Sequence, residues 1–318
     1  MLSRVADSLF WMSRYVERAE NVARFIDVNL NLLLDTGAQA RSQWEPLVYT
    51  TGDQEEFYKR YKEGSQENVL RFLTFDRENS NSILSCLASA RENARVSRDM
   101  ISSQMWEEMN KFYMLVRDAR NDPMVIAAPY GFFDRIRRAS YSLEGVKHMT
   151  MSRGEAWHFT RVGQMLERAD KTSRILDVKY YLLLPDATDV GTPIDLRQWG
   201  TLLKSVSAVE MYRRAFGRLS PRCVVQFLLL DREFPRSVHY CITEAERSLL
   251  AITGGGVHNF RNRSEQLLGR LRSEIAYTDI EQLMNRGLHE AIDDLQAKLN
   301  EIGAAIQADF VHVGAGDY

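Results

Sequence analysis

One sequence pattern occurs twice in this chain, in the same order. The matches keep a spacing of 150 positions through the first segment and of 155 positions after a five-residue slip, and they extend over about 75 residues. The clearest ones pair Glu17-Arg18-Ala19-Glu20, Arg24, Asp27-Val28, Gln43-Trp44 and Cys86 with Glu167-Arg168-Ala169-Asp170, Arg174, Asp177-Val178, Gln198-Trp199 and Cys241. A co-linear series of this kind indicates an internal duplication. We therefore expect two tandem α-helical repeats, 1–152 and 153–318, packed together about a pseudo-twofold axis.

Hydrophobic residues recur every three or four positions along nearly every long segment. In the first segment, Ala19, Ala23 and Ile26 belong to one apolar stripe, which is typical of an amphipathic helix. The sequence therefore predicts an all-α fold, a multi-helix bundle of two pseudo-symmetric repeats without significant β-sheet. Long helices are predicted at 4–35, 80–118, 131–150, 153–184, 236–253, 258–276 and 279–309, and shorter ones at 43–50, 54–63, 66–75, 196–204, 206–216 and 221–231.

The composition limits the classes of function. A formal net charge of -2 with 26% charged residues provides no basic surface for nucleic acid or for an anionic membrane. The longest nearly apolar run, from Cys223 to Leu230, is too short to cross a bilayer. Three cysteines without metal-like spacing are typical of a reducing compartment. We expect a cytoplasmic protein with no nucleic-acid or membrane partner.

Familiar motifs for metals, nucleotides and catalytic nucleophiles are not found in the sequence. The six histidines have no paired ligand spacing. Gly254-Gly255-Gly256 lacks the lysine of a phosphate-binding loop, and it is interpreted either as a helix–helix turn or as a set of backbone amides facing an anion. We expect no metal and no cofactor, and the residues favour a chain that is not catalytic on its own over an enzyme.

The repeated segment places a charged stripe beside the apolar one. Its acids and bases follow spacings of three, four and three residues, so they share a helix face, and they occur in the same order in both copies. One interpretation is structural, with ion pairs between residues one turn apart. The other is functional: a cleft between the repeats in which carboxylates bind an amine or a divalent ion, and arginines bind a carboxylate or phosphate. The stripe comprises Glu17, Glu20, Arg24 and Asp27, and Glu167, Asp170, Arg174 and Asp177.

Arg18 and Arg168 follow the first glutamate of each stripe and are candidate binding residues with it. Adjacent helix residues do not share a face, so each arginine is expected to point away from its glutamate. A further candidate site is the Arg91–Asp99 surface, defined by Arg91, Glu92, Arg95, Arg98 and Asp99 with Trp106. It is interpreted either as a binding surface or as a solvated helix face with alternating charges.

Two local features concern the start of the second half. Ser152 is expected to cap the next helix, with Glu155 closing a capping box. Gly163 is expected to allow another helix to approach closely, because glycine has no Cβ.

The opening segment, Leu2 to Glu20, closely resembles the start of the bacterial alpha-E family, which is named for its helices and its Glu-Arg motif. The similarity continues through Ala90 to Arg95, Trp106-Glu107, Thr150 to Arg153 and Leu166 to Asp170, and it covers essentially the whole chain.

The resemblance implies a functional context. Members of this family are typically encoded beside a circularly permuted ATP-grasp protein and a transglutaminase-like cysteine peptidase. Since ATP-grasp enzymes join a carboxylate to an amine through an acyl phosphate, the resemblance implies an accessory or substrate-handling subunit of a system that forms or modifies peptide or amide bonds. An enzyme with a Glu/Arg-lined cleft and a structural scaffold or homo-oligomerisation module remain as alternatives.

Overall fold

The computed structural model describes residues 1–36, 44–182, 193–256 and 259–311, and in the helices it leaves the side chains of 31–36, 178–182, 193 and 194 undescribed. These residues form helices and no strand; an isolated bridge joins Gly256 and Asn259. The predicted all-α class is confirmed. Residue 43 of one predicted helix, residues 183–184 of another and residue 258 of a third lie outside the described ranges.

The helices range from 4 to 34 residues in length. Those before residue 152 are α1 (Ser3–Thr36), α2 (Glu45–Thr51), α3 (Gln54–Arg60), α4 (Gln66–Thr74), α5 (Ile83–Val96), α6 (Ser103–Ala119), α7 (Met124–Ala127) and α8 (Tyr130–Thr150). Those after it are α9 (Glu155–Leu182), α10 (Pro193–Ser205), α11 (Val209–Phe216), α12 (Pro221–Leu230), α13 (Val238–Thr253), α14 (Arg263–Ala276), α15 (Ile280–Arg286) and α16 (Leu288–Phe310).

The chain divides into two compact units. The continuous unit is Tyr15–Met151, and the composite unit combines Met1–Arg14 with Ser152–Tyr318. The second boundary falls beside the predicted one at residue 152. The first falls inside α1, so this helix contributes its first residues to the composite unit and the remainder to the continuous unit.

Local hydrogen bonds recur at matched positions of the two predicted repeats. Ser82 and Ser237 cap α5 and α13, where their hydroxyls accept from Ser85 N–H at 3.2 Å and from Tyr240 N–H at 3.1 Å. The thiols of Cys86 and Cys241 are buried and each donates to a backbone carbonyl six residues earlier, at 3.6 Å. The same residue types thus make the same local turns in both segments, while the duplication itself stays a prediction.

The predicted helix at 80–118 is wrong, because the structure has two helices there. A short 3-10 turn, Arg98–Met100, separates α5 from α6. Ser102 begins the second helix by accepting a hydrogen bond from Met105 N–H at 3.0 Å. A serine in this position satisfies a free N–H at the start of a new helix, and this local bond competes with continuation of the previous one.

Two further helix boundaries differ from the prediction at glycine or asparagine. The helix predicted at 279–309 is broken at Gly287, whose φ of 107° lies outside the range that other residues readily adopt. The helix predicted from 258 begins at Arg263, because Asn262 Oδ1 accepts from Glu265 N–H at 2.9 Å and caps it. The Ser152 capping box is also wrong: α9 begins at Glu155, after Gly154.

Gly163 of α9 lies against the backbone of α1, as its position in the sequence predicts. A Cβ built on Gly163 would lie 2.3 Å from the carbonyl oxygen of Phe10, a distance no real contact allows. Phe10 is itself buried beside this contact. Within the composite unit, the two helices can therefore approach this closely only because residue 163 has no side chain.

We expect Gly163→Ala to lower the free energy of unfolding by about 1–3 kcal/mol, because the added methyl group must push two backbones apart. Gly145→Ala is the matched control: this glycine is also inside a helix, but a Cβ there would meet nothing within 4 Å. Alanine should stabilise α8 at that position by roughly 0.5–1 kcal/mol. Urea unfolding followed by circular dichroism measures both, and equal effects of the two substitutions would contradict the close approach.

Candidate functional site

The charged stripe of α1 is inside the protein. Every residue from Asn21 to Leu30 is buried, so the helix has no solvated face over this stretch. The sequence predicts only an apolar stripe on one side, and the polar side is buried as well. Arg24, with 1% of its surface exposed, is among the largest fully buried side chains of the described residues. The charges must therefore be neutralised within the structure.

Arg24 is held by Glu20 and Tyr141. Its Nε donates to Glu20 Oε1 at 3.1 Å and its Nη2 donates to the same oxygen. Nη2 also donates to the Tyr141 hydroxyl of α8 at 2.6 Å. Burial alone would lower the pKa of Arg24, but the charge of Glu20 and the Tyr141 contact together raise it above its ordinary value. The guanidinium therefore stays charged, and the predicted pairing of residues one turn apart is present.

The remaining acids of this stripe also have partners in the continuous unit. Glu17 Oε1 accepts from Asn21 Nδ2 at 3.1 Å. Asp27 Oδ2 lies 2.9 Å from Arg137 Nη2 on α8, a pairing that sequence spacing does not reveal. Burial raises the pKa of Asp27, and Arg137 partly offsets that rise. The first stripe thus contacts its own unit through neighbours on α1 and through α8.

The second stripe is paired within the composite unit. Glu167 is fully buried; its Oε2 accepts from Arg14 Nε at 2.9 Å, and Lys171 Nζ lies 3.6 Å from its Oε1. Asp170 accepts from Arg174 Nε at 3.0 Å and from Lys171 Nζ at 3.1 Å. Burial would raise the pKa of Asp170, but the charges of Lys171 and Arg174 outweigh burial and lower it. Both acids therefore have nearby cations as partners.

The arginines of the two Glu-Arg motifs bind different parts of the fold from those that the glutamates bind. Arg18 Nη1 donates to Asn81 Oδ1 at 2.7 Å, just before α5. Arg168 Nη1 donates to the carbonyl oxygen of Pro235 at 3.3 Å, just before α13. Each arginine thus binds the turn that precedes the next long helix in its unit. The prediction that these arginines diverge from their glutamates agrees with these contacts.

Asp177, the last acid of the second stripe, belongs to a cluster that spacing alone does not predict. His289 Nδ1 lies 2.6 Å from Asp177 Oδ1, and His289 Nε2 lies 3.4 Å from Asp293 Oδ2. Donor atoms of the three residues lie within 4.8 Å of one another, close enough to share a divalent cation. With both ring nitrogens facing carboxylates, the arrangement equally suits a protonated imidazole between two acids. The sequence analysis expects no metal and misses this group, because 112 residues separate Asp177 from His289.

The Arg91–Asp99 surface lies on the outside of the continuous unit. Arg91 Nε donates to Asn110 Oδ1 at 2.6 Å, and its guanidinium stacks on Trp106 and Tyr113 at 5.6 and 5.3 Å from the ring centroids. Arg95 is exposed and pairs with Glu92. Cation–aromatic stacking therefore orders Arg91, whereas Arg95 stays open to solvent. These residues form the most accessible of the predicted candidate groups.

A cleft of about 320 Å³ lies in the composite unit, and no residue of the charged stripes lines it. Apolar residues including Val238 and Ile292 line it, and Lys298 at its edge binds Glu274 at 2.7 Å and Asp294 at 2.8 Å. The charge of Lys298 is thus already paired. Across the described ranges, no helix is both long and apolar enough to span a membrane.

We expect Glu20→Gln to lower the free energy of unfolding by about 3–5 kcal/mol, because it removes the carboxylate that accepts two hydrogen bonds from the buried Arg24 guanidinium. Glu92→Gln is the matched control, since it removes the carboxylate of an exposed helical Glu–Arg pair and should leave unfolding unchanged within error. Urea unfolding of both variants, with helix content checked by circular dichroism, measures the difference. A similar small effect for both variants would show that burial does not make the Glu20–Arg24 pair special.

The hydrogen bond with Asp177 raises the pKa of His289, so we expect NMR titration in chelator-treated buffer to place it above the ordinary value of about 6.5. A histidine whose pKa is higher in the folded state stabilises the fold fully at pH values below its pKa in the unfolded state. This stabilisation is lost as the pH rises through its pKa in the folded state. Asp177→Asn should therefore lower the His289 pKa and should destabilise the protein more at pH 6 than at pH 9. An unchanged pKa in that variant would contradict the pairing.

Comparison with known proteins agrees with the resemblance of the opening segment. The sequence profile of Alpha-E, described as a predicted alpha-helical domain with a conserved ER motif, matches residues 1–311. Uncharacterized proteins of Mycobacterium bovis and Mycobacterium tuberculosis are 23% identical over 323 residues, covering 96% of this chain and 35% of the relative. The chain thus spans about a third of the length of the curated relatives it matches, and no solved structure matches it significantly. By its profile match over nearly the whole sequence, the chain belongs to the Alpha-E family.

Proposed function

We propose that the chain is a non-catalytic helical component of an ATP-grasp-dependent system that forms or modifies peptide or amide bonds. The main support is the state of the two Glu-Arg motifs: their acids and bases bind partners within their own units and are largely buried. A catalytic acid or base must reach the proton it transfers. Charges held in this way are better suited to a structural role than to proton transfer in a reaction.

The length of the relatives supports action beside other protein segments. The mycobacterial proteins include the matching region as about a third of a longer chain. A unit found inside a longer chain is well suited to work next to a separate activity. We propose that in this system the separate activity is a circularly permuted ATP-grasp ligase, with a transglutaminase-like peptidase as a further partner.

The Arg91–Asp99 surface is the proposed contact with the ligase. It combines stacked Arg91 and Trp106 with the exposed pair of Arg95 and Glu92. Aromatic residues and arginines dominate the energetics of many protein interfaces because they bury a large area while retaining specific hydrogen bonds. We propose that this surface binds an acidic patch of the ligase and that the chain raises the ligase's rate by holding it in its active arrangement.

The test is to purify the chain with an ATP-grasp ligase encoded beside it and to measure amine-dependent ADP release with and without the chain. We expect stimulation, and we expect Arg95→Glu to weaken the complex about tenfold, the effect of 1.4 kcal/mol. Arg138→Glu is the control, since it makes the same charge change at another exposed helical arginine of the same unit.

Failure to copurify at low salt, together with unchanged ADP release, would contradict the proposal. Amine-dependent ATP consumption by the chain alone would instead indicate that it is an enzyme. Equal weakening by Arg95→Glu and Arg138→Glu would show that net charge matters rather than the Arg91–Asp99 surface.

A further inference from the structure

A second cleft of the composite unit has a volume of about 390 Å³, and no residue of the charged stripes or of the Arg91–Asp99 surface lines it. Residues of α13 and of α14 line it, together with Gly256, Asn259 and Phe260 from between these helices. The volume is within the usual range for small-molecule sites, roughly 300–1,000 Å³. The residues that matter for its chemistry are Glu246, Leu250, Phe260, Glu265, Arg270 and Arg272.

Glu265 is the unusual residue of this cleft. Only 6% of it is exposed. Its Oε2 accepts a hydrogen bond from Arg261 N–H at 2.7 Å, whereas its Oε1 is buried and has no hydrogen-bond donor among the described residues. A buried carboxylate oxygen without a donor carries an unfavourable desolvation cost. A ligand that donates to Oε1 would remove that cost.

The other charges of the cleft do not neutralise Glu265. Glu246 Oε2 lies 2.8 Å from Arg272 Nε, so these two residues already form an ion pair. Arg270 is exposed at the edge, and neither it nor Glu265 has an ion-pair partner among the described residues. Besides the ion pair of Glu246 and Arg272, the cleft therefore has one further carboxylate, that of Glu265, and one further guanidinium, that of Arg270.

Gly255 leaves space next to the buried Oε1 of Glu265 because it has no side chain. A Cβ added to Gly255 would lie 2.9 Å from Oε1, so a side chain there would crowd the oxygen. Phe260 is 60% exposed and lines the cleft together with Leu250. These two residues provide an apolar surface next to the charged groups, as amphipathic ligands require.

We propose that this cleft binds an amino acid as its zwitterion. The ammonium group donates to Glu265 Oε1, the carboxylate binds Arg270, and an aliphatic side chain lies against Leu250 and Phe260. Charge-assisted hydrogen bonds at both ends give this class of ligand an advantage over amines and carboxylic acids that carry only one of the two charges. Binding to the isolated chain requires no ligase, so this proposal and the proposed function can fail separately.

The experiment is an NMR titration of the full chain with L-leucine and with glycine, the smallest zwitterion. We expect saturable shifts with both and tighter binding of L-leucine. Two analogues of L-leucine test its two charged groups one at a time. The first, 4-methylpentanoate, lacks the ammonium group, and the second, 3-methylbutylamine, lacks the carboxylate. Each should bind at least about tenfold more weakly, as expected for loss of a charged hydrogen bond.

Glu265→Gln should weaken L-leucine binding about tenfold, because the amide replaces an acceptor while an oxygen remains for Arg261 N–H. Gly255→Ala should weaken it by filling the space next to Glu265 Oε1, and it gives a second test if Glu265→Gln lowers stability. Arg270→Gln should weaken binding of L-leucine but not of 3-methylbutylamine. Glu274→Gln is the control, since Glu274 lies on the same helix but lines the other cleft.

Lack of saturable shifts with both L-leucine and glycine would overturn the proposal. Equal binding of L-leucine and 4-methylpentanoate would remove the role given to the ammonium group. Wild-type affinity in both Glu265→Gln and Gly255→Ala would likewise exclude Glu265 as the group that binds the ligand.

Discussion

The guanidinium of Arg24 lies buried in the middle of α1, and the surrounding fold has to supply its counterion and its hydrogen-bond acceptors. Glu20 supplies the charge from one turn earlier, and Tyr141 supplies a hydroxyl from α8. A buried ion pair of this kind does not necessarily stabilise a protein more than apolar residues would. The Tyr141 contact does restrict how α8 packs against α1, because a shifted arrangement would move this hydroxyl away from the Arg24 guanidinium.

The second Glu-Arg motif applies the same principle with different partners. Glu167 depends on Arg14 and Lys171, and Asp170 depends on Lys171 and Arg174. The i,i+4 pair is common to both stripes, while the cations from elsewhere differ. In both motifs the arginine that follows the glutamate binds the turn before the next long helix. The motif therefore connects charge burial with the placement of α5 in one unit and α13 in the other.

The parts of this structure that depend on local sequence could be predicted. Helical periodicity predicts the all-α class, and the spacing of Glu20 and Arg24 predicts their pairing. Helix ends were harder, since the break at Ser102 depends on one side-chain hydrogen bond competing with a continuous helix. Contacts between distant positions were not predictable from one sequence.

The pairs of Asp27 with Arg137 and of Asp177 with His289 join helices whose packing has no local signal. Burial of the polar side of α1 was also not predictable from the sequence. Periodicity identifies an apolar stripe but does not reveal what covers the opposite face of the helix. The free oxygen of Glu265 required knowledge of every neighbouring donor.

The path of α1 has a consequence for how the gene can be divided. The residues up to Arg14 complete the composite unit, although they are encoded before the whole of the continuous one. A fragment translated from residue 153 onward would lack the guanidinium that binds Glu167 and the backbone against which Gly163 packs. The midpoint of the sequence is therefore a poor place to cut, and a split expression system would need to supply the first helix to the second fragment.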